Sequence, residues 1–373
     1  MFRFFQKIDW VLFFSVTLIL GVSLLVLYSL SSSGGVDYFL RQLIFAGLGL
    51  MVLFFVATMD YHHIAKYSTA LYFGTIALLL GVLLFGITVR GTAGWISLGV
   101  VQLQPVELAK VTLILFLASF ISQKKSEFGE WTRVIASLIL SAVLILLVLR
   151  QPDLGSGLVL ASIWGGMILA SGLKLRHFLV LFLLGATLAT SGWFLLEPYQ
   201  KDRIFNFVNP EADPQGTGYN VLQSIVAVGS GGFVGKGIGH GSQSQLNFLP
   251  EKHTDFIFAV VTEELGLVGA WLVLGLYLVL LYRIKRIGDE SPDNFGYLLA
   301  VGVMTMLFTQ ITINIGMNMG LLPVTGLPAP LLSYGGSSIL SVSLALGLLL
   351  SVYSRKRSVK DTRISLERST LDF

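Results

Sequence analysis

The chain has 373 residues, 54% of them hydrophobic and only 12% charged, with a mean hydropathy of +0.79, a formal net charge of +4 and no cysteine. A water-soluble domain carries about 25% charged residues, so this much apolar sequence belongs to a multi-spanning membrane protein. Disulfides, thiolate zinc sites and cysteine nucleophiles are excluded, and the basic balance reads as loop topology rather than nucleic-acid binding.

A hydrocarbon core about 30 Å thick needs a helix of about 20 apolar residues. Ten segments qualify, near 11–30, 39–58, 69–88, 105–122, 134–150, 155–172, 178–196, 256–282, 296–319 and 338–353. The first is too long for a signal-peptide core. The fold class is therefore an all-α integral membrane protein with about ten transmembrane helices. A long extracytoplasmic loop, about 198–254, separates the seventh from the eighth. Residues 1–353 read as one polytopic membrane domain, and 354–373 as a polar, disordered cytoplasmic tail. With the N-terminus inside, most Lys and Arg fall on inner segments, among them Lys66, Lys124, Arg176, Arg283 and Arg357. The positive-inside rule then puts both termini in the cytoplasm and the long loop outside.

Polar motifs gather in the outer loops. In chain order they are RGTAGWISLG (90–99), QPVELAK (104–110), RQPDLGSG (150–157), GYNVLQS (218–224), GSGGFVGKGIGHG (229–241), LPEKHTDFIFAVVTEELG (249–266) and NIGMNMGLLPVTGLPAPLLSYGGSS (314–338). The inner loops are short and basic, so function is expected at the outer surface. Glu107 and Lys110 are i,i+3 on a helix beginning near Pro105 and share a face. They form either a structural ion pair or a cation, oriented by its partner, for a pyrophosphate. Arg150 and Asp153 flank a helix start, where Asp153 has the chemistry of an N-cap. Asp255 stands just before a long apolar run and either caps it, as Thr254 also could, or serves as a base or metal ligand. Glu263 lies about 12 Å further along a helix and about 80° around from Asp255, so at most one of Glu263 and Glu264 shares a cavity with it.

Other readings are weaker. The glycine-rich stretch lacks the strand–loop–helix context and Lys-Ser/Thr ending of a nucleotide loop and reads as a turn or re-entrant hairpin. His240, Glu251, His253 and Asp255 match no zinc spacing, and Ser333 or Ser337 lacks a nucleophile elbow.

Taken together, the motifs resemble the SEDS family (shape, elongation, division and sporulation), and within it the elongation branch. The likeness runs over roughly 90–340. Its most specific segments are HTDFIF and PVTGLPAPLLSYGGSS. Three positions depart from the usual pattern: Gly94 stands before Trp95 where an Arg is common, Val106 replaces Ser in QPVE, and Ser156 replaces Thr in QPDLGS. The resemblance implies a peptidoglycan glycosyltransferase of the bacterial cytoplasmic (inner) membrane that polymerises lipid II. Asp255 corresponds to the family's essential acid and is expected to act as base on the acceptor 4-hydroxyl. Lys110, Arg90 or Arg150, with Glu107 orienting and a divalent cation (Mg or Mn), would offset the pyrophosphate. Asp153, Gln223, Lys252, His253 and Ser333 would line the substrate site. Expected partners are a class B penicillin-binding protein (a transpeptidase) and elongation-complex membrane proteins. A lipid II flippase and a non-catalytic scaffold are the alternative functions.

Overall fold

The computed structural model describes residues 8–34, 37–89, 92–97, 99, 102–123, 130–172, 185, 201, 205, 207 and 217–371. The expected seventh span, 178–196, and the first part of the long loop lie essentially outside the described residues. The helices are α1 (Trp10–Gly34), α2 (Tyr38–Thr58), α3 (Tyr61–Lys66), α4 (Ser68–Phe85), α5 (Pro105–Ser122), α6 (Glu130–Leu149), α7 (Leu154–Ala170), α8 (Thr217–Ser230), α9 (Ser242–Gln245), α10 (Ile257–Asp289), α11 (Asn294–Asn318) and α12 (Gly336–Leu371). Among the described residues, eight helices are long and apolar enough to cross a membrane, and α7 is a shorter apolar one. The chain is a helical membrane protein.

Aspartates start five of these twelve helices. Asp37, Asp60, Asp153 and Asp293 each accept a first-turn backbone N–H of α2, α3, α7 and α11, and Asp9 does the same for Leu12 in α1. Such caps satisfy donors that lipid cannot. Pro105 opens α5 at a position where its missing N–H costs nothing.

Helix ends gather at two faces. At one, Asp9 pairs with Arg283, Arg355 with Asp60, and Asp293 accepts from Tyr61 and meets His62. At the other, Ser29 of α1 meets Glu264, Gln42 of α2 meets Ser333, and Asn314 and Asn318 of α11 meet Asp255. The outer-loop motifs lie at this second face.

Four features differ from expectation. The third span stops at Phe85, because the chain turns into a three-stranded antiparallel sheet of β1 (Ile87–Val89), β2 (Thr92–Ser97) and β3 (Gln102–Leu103). Ile87 pairs with Trp95 and Ile96 with Leu103, which converts a supposed loop into a meander feeding α5. The long loop contains the 14-residue helix α8. The tail does not end the last helix at Ser354, since the α12 backbone stays helical to Leu371, an extension of a turn already nucleated in the span.

The fourth feature is the glycine-rich stretch, which is spliced into α10. Gly266 has φ 66° and breaks the helix. The broken ladder is repaired from outside: Lys236 and Gly237 N–H donate to the Glu263 and Glu264 carbonyls, while Leu267 and Val268 N–H donate to Gly232 and Phe233. A Cβ at Gly266 would collide with the Gly235 amide nitrogen. We predict that Gly266→Ala loses about 2 kcal/mol or more, from forbidden φ plus overpacking. Gly275→Ala, whose added Cβ meets nothing within 4 Å, should be neutral. Thermal unfolding of the two purified variants checks the contrast.

Candidate functional site

The segment 251–256 is a turn running into α10. Three consecutive carbonyls in it are held from elsewhere. The His253 carbonyl accepts the Tyr334 N–H at 2.9 Å. The Thr254 carbonyl accepts the Ser333 hydroxyl at 2.5 Å. The Asp255 carbonyl accepts Nδ2 of Asn314 at 3.0 Å and of Asn318 at 2.9 Å. Asp255 itself is half-buried, and its Oδ2 lies 3.8 Å from where a Cβ on Gly326 would stand. Phe256 is the N-cap residue of α10, and its own side chain makes no capping hydrogen bond. Oδ1 of Asn318 reaches across from α11 to the Ala259 N–H at 3.0 Å.

The other candidates fall into distinct roles. Lys110 is fully buried, and its Nζ donates to Glu107 Oε1 at 2.7 Å. Ser341 Oγ donates to the other Glu107 oxygen at 3.0 Å. The i,i+3 spacing thus forms the expected ion pair, closed by a third partner. Asp153 caps α7 through the Ser156 N–H at 2.9 Å, and Gln104 Nε2 approaches its second oxygen at 3.5 Å. Burial pushes the Asp153 carboxyl above its ordinary range, against the opposing Ser156 bond and the charge of Lys110. Asp153, Lys110 and Glu107 therefore form one electrostatic group.

Lys252 is buried. Its ammonium donates to the Ser244 carbonyl and to Asn247 Oδ1, so it holds the preceding loop. Burial lowers its pKa, with Glu264 and Glu263 opposing. His253 stacks on Tyr38 with ring centroids 4.3 Å apart. Ser333 is 3% exposed; its hydroxyl also accepts the Ala329 N–H, and its carbonyl accepts Gln42 Nε2. Gln223 is half-buried on α8, one residue before Ser224, whose hydroxyl donates to the Asn318 carbonyl. Arg150 is exposed in the turn after α6, and Arg90 lies outside the described residues.

Glu263 and Glu264 each find partners within the fold. Glu263 accepts from Lys236 and from the Gln243 and Ser244 backbone N–H groups. Glu264 accepts from Ser29 and Gln245. Among the described residues, no three His, Cys, Asp or Glu side chains converge as a metal-ligand set.

Two groups of candidates thus face each other across a few residues. Ser333 touches the Asp255 turn, Ser337 accepts the Gln104 N–H, and Ser341 touches Glu107. Thr325 and Leu327, which flank Gly326, pack against Gly155 beside Asp153. Asn314 and Asn318 were not singled out from sequence. Their signal was two amides in a Gly-rich motif one helical turn apart.

Residues 5–358 match the FtsW/RodA/SpoVE family, described as cell cycle proteins. The chain belongs to this family. Stage V sporulation protein E of Bacillus subtilis is 40% identical, over 93% of this chain and 98% of its own length. The peptidoglycan glycosyltransferase MrdB of Escherichia coli is 39% identical, over 91% of each chain. RodA of Thermus thermophilus, a rod shape determining protein, matches with a TM-score of 0.70 at 31% identity, covering 94% of this chain and 97% of its own. A solved chain from a peptidoglycan synthase complex that coordinates polymerization and crosslinking matches with a TM-score of 0.79 at 34% identity, covering 94% and 98%. Family membership also frames a departure seen in the sequence. At Gly94, where an Arg is common, an added Cβ would sit 3.2 Å from Gln151 Oε1, which fits the absence of a side chain here.

Removing one member of a buried ion pair strands the other. Lys110→Met is predicted to cost about 3–5 kcal/mol, and Glu107→Gln combined with Lys110→Met to recover most of it. Thermal unfolding of the singles and the double measures this. Lipid II binding by the restored double variant then separates the roles: retained binding makes the pair structural, and lost binding makes Lys110 a substrate cation.

Proposed function

We propose that this protein is a peptidoglycan glycosyltransferase that polymerises lipid II at the outer face of the cytoplasmic membrane, with both termini inside. The observation that carries the reading is the clamped turn presenting Asp255 beside Gly326, in a chain whose relatives bear that enzyme name. The orientation draws support from Arg283, Lys285, Arg286 and Arg355 lying at the face opposite this turn.

In the reaction, the acceptor sugar 4-hydroxyl oxygen bonds to C1 of the lipid-linked donor. The bond from C1 to the pyrophosphate oxygen breaks, and undecaprenyl pyrophosphate leaves with the bonding electrons. The acceptor proton passes to Asp255. One displacement inverts the α-linked donor to a β-1,4 glycan, so a second nucleophilic carboxylate has no task. Asp255 must come within about 2.6–3.2 Å of that hydroxyl. Its turn is tied down through three consecutive carbonyls by Tyr334, Ser333, Asn314 and Asn318. Asp153 stands at the start of α7 beside the 325–327 segment, and Lys110, within electrostatic reach of it, supplies the positive charge that a pyrophosphate would meet. Arg150 is exposed at the same helix start and is the more accessible cation. Among the described residues, no three His, Cys, Asp or Glu side chains converge as a metal-ligand set, so none is assigned to hold a divalent cation. A class B penicillin-binding protein is the proposed partner, in keeping with the likeness to a chain from a synthase complex.

The test is polymerisation of labelled lipid II by the protein purified with a transpeptidase partner that has no glycosyltransferase domain. Asp255→Ala should bind lipid II yet lose glycan synthesis by about 100-fold or more. Near-normal polymerisation by the variant overturns the role of Asp255. If the wild type makes no glycan but moves lipid II across liposome membranes, translocation replaces the enzyme.

A further inference from the structure

We infer that Asn314 and Asn318 are positioning residues for the reaction, a pair of buried amides that sets where the Asp255 carboxylate stands. The inference rests on Asp255 being the base. Both amides are on the last turns of α11, one helical turn apart, and both are fully buried. Both Nδ2 atoms donate to one acceptor, the Asp255 carbonyl, at 3.0 and 2.9 Å. A carbonyl oxygen has two lone pairs, so it is saturated by this arrangement.

The remaining bonds tie the turn to its surroundings. Asn314 Nδ2 also donates to the Leu327 carbonyl at 2.8 Å, beside Gly326, the residue facing Asp255 Oδ2. Asn318 Nδ2 also donates to the Asn314 carbonyl at 2.8 Å, and its Oδ1 takes the Ala259 N–H of the first α10 turn. Ser224 of α8 then donates to the Asn318 carbonyl at 2.8 Å. Two side chains therefore fix the acid turn, the start of α10 and the glycine segment relative to one another. Only an amide suits the place. It offers two N–H donors and an acceptor in one short plane, which neither a carboxylate nor a hydroxyl does.

A positioning role differs from a purely structural one in what it changes. A base displaced by about 1 Å can lose about 100-fold in rate while ground-state binding, made mostly by the lipid and pyrophosphate, persists. Asn318→Asp keeps the shape and the acceptor for Ala259 but removes the donors and sets a carboxylate against a carbonyl. Asn314→Asp does the same at Asp255 and Leu327 and leaves the Ala259 bond intact.

The experiment measures kcat per lipid II-binding site, the lipid II affinity and the thermal midpoint, for the protein with its transpeptidase partner. Both variants should lose about tenfold or more in kcat per binding site, with affinity within about threefold of wild type. A kcat per binding site within twofold of wild type overturns the inference. So does a loss fully accounted for by protein that no longer binds lipid II. If Asn318→Asp yields no folded protein, Asn314→Asp decides by the same criterion. Asp255→Asn is run beside them. If it polymerises normally, the base assignment itself fails; if it is inactive while the amide variants are unimpaired, only the positioning role fails.

Discussion

Backbone polar groups that leave a helix inside an apolar bundle must find partners from the protein, because lipid offers none and each orphan costs several kcal/mol. The turn ahead of α10 places this demand at one point. Its carbonyls at His253, Thr254 and Asp255 are met by the Tyr334 N–H, the Ser333 hydroxyl and two asparagine amides. Satisfying them forces the SYGG turn, the end of α11 and the start of α10 to converge. The same demand recurs where Gly266 interrupts α10 and the glycine-rich stretch supplies the missing donors and acceptors. Glycine is needed there because the turn through Gly231 and Gly235 must approach the α10 backbone with no Cβ between them.

The SYGGSS turn and the first turns of α12 then join two chemically different regions. Ser333, Ser337 and Ser341 recur every four residues, though α12 begins only at Gly336. They touch the acid turn, the residue ahead of α5 and the buried Glu107 in that order. A change in the seating of α12 would shift the carboxylate side and the cation side together. This coupling suits a reaction in which an acceptor hydroxyl and a pyrophosphate leaving group must be aligned across one sugar. It also gives a physical reason for small hydroxyl side chains at these places: each satisfies a buried group without separating the packed elements.

Hydropathy alone was enough to find the spans that the structure describes, because a run of about 20 apolar residues has few alternatives. The Glu107–Lys110 pair and the Asp153 cap were also readable, since both depend on neighbours within one helical turn. What escaped were contacts between residues far apart in the chain. Asn314 and Asn318 act on a turn some sixty residues away, and no local pattern encodes that choice. The β-meander was missed because strands of two to six residues carry little periodic signal. The glycine-rich stretch was recognised as a turn or hairpin, but its partner, the break at Gly266, shows only in three dimensions. Lys252 and Ser333, which the family resemblance puts at the substrate site, also bond backbone carbonyls that hold the loops around Asp255 in shape, a duty that sequence does not reveal.

The handling of aspartate separates chemistry from scaffolding. Asp9, Asp37, Asp60, Asp153 and Asp293 all stand ahead of helices and all accept a first-turn N–H. A carboxylate in that place is stabilised by the helix dipole and its geometry is dictated by the helix. Asp255 also stands ahead of a helix, two residues before Ile257, and there a second helix takes part. Asn318 of α11 accepts the Ala259 N–H of the first α10 turn through Oδ1 and donates to the Asp255 carbonyl through Nδ2. One uncharged amide therefore ties the helix start to the acid turn without setting a second charge beside the carboxylate.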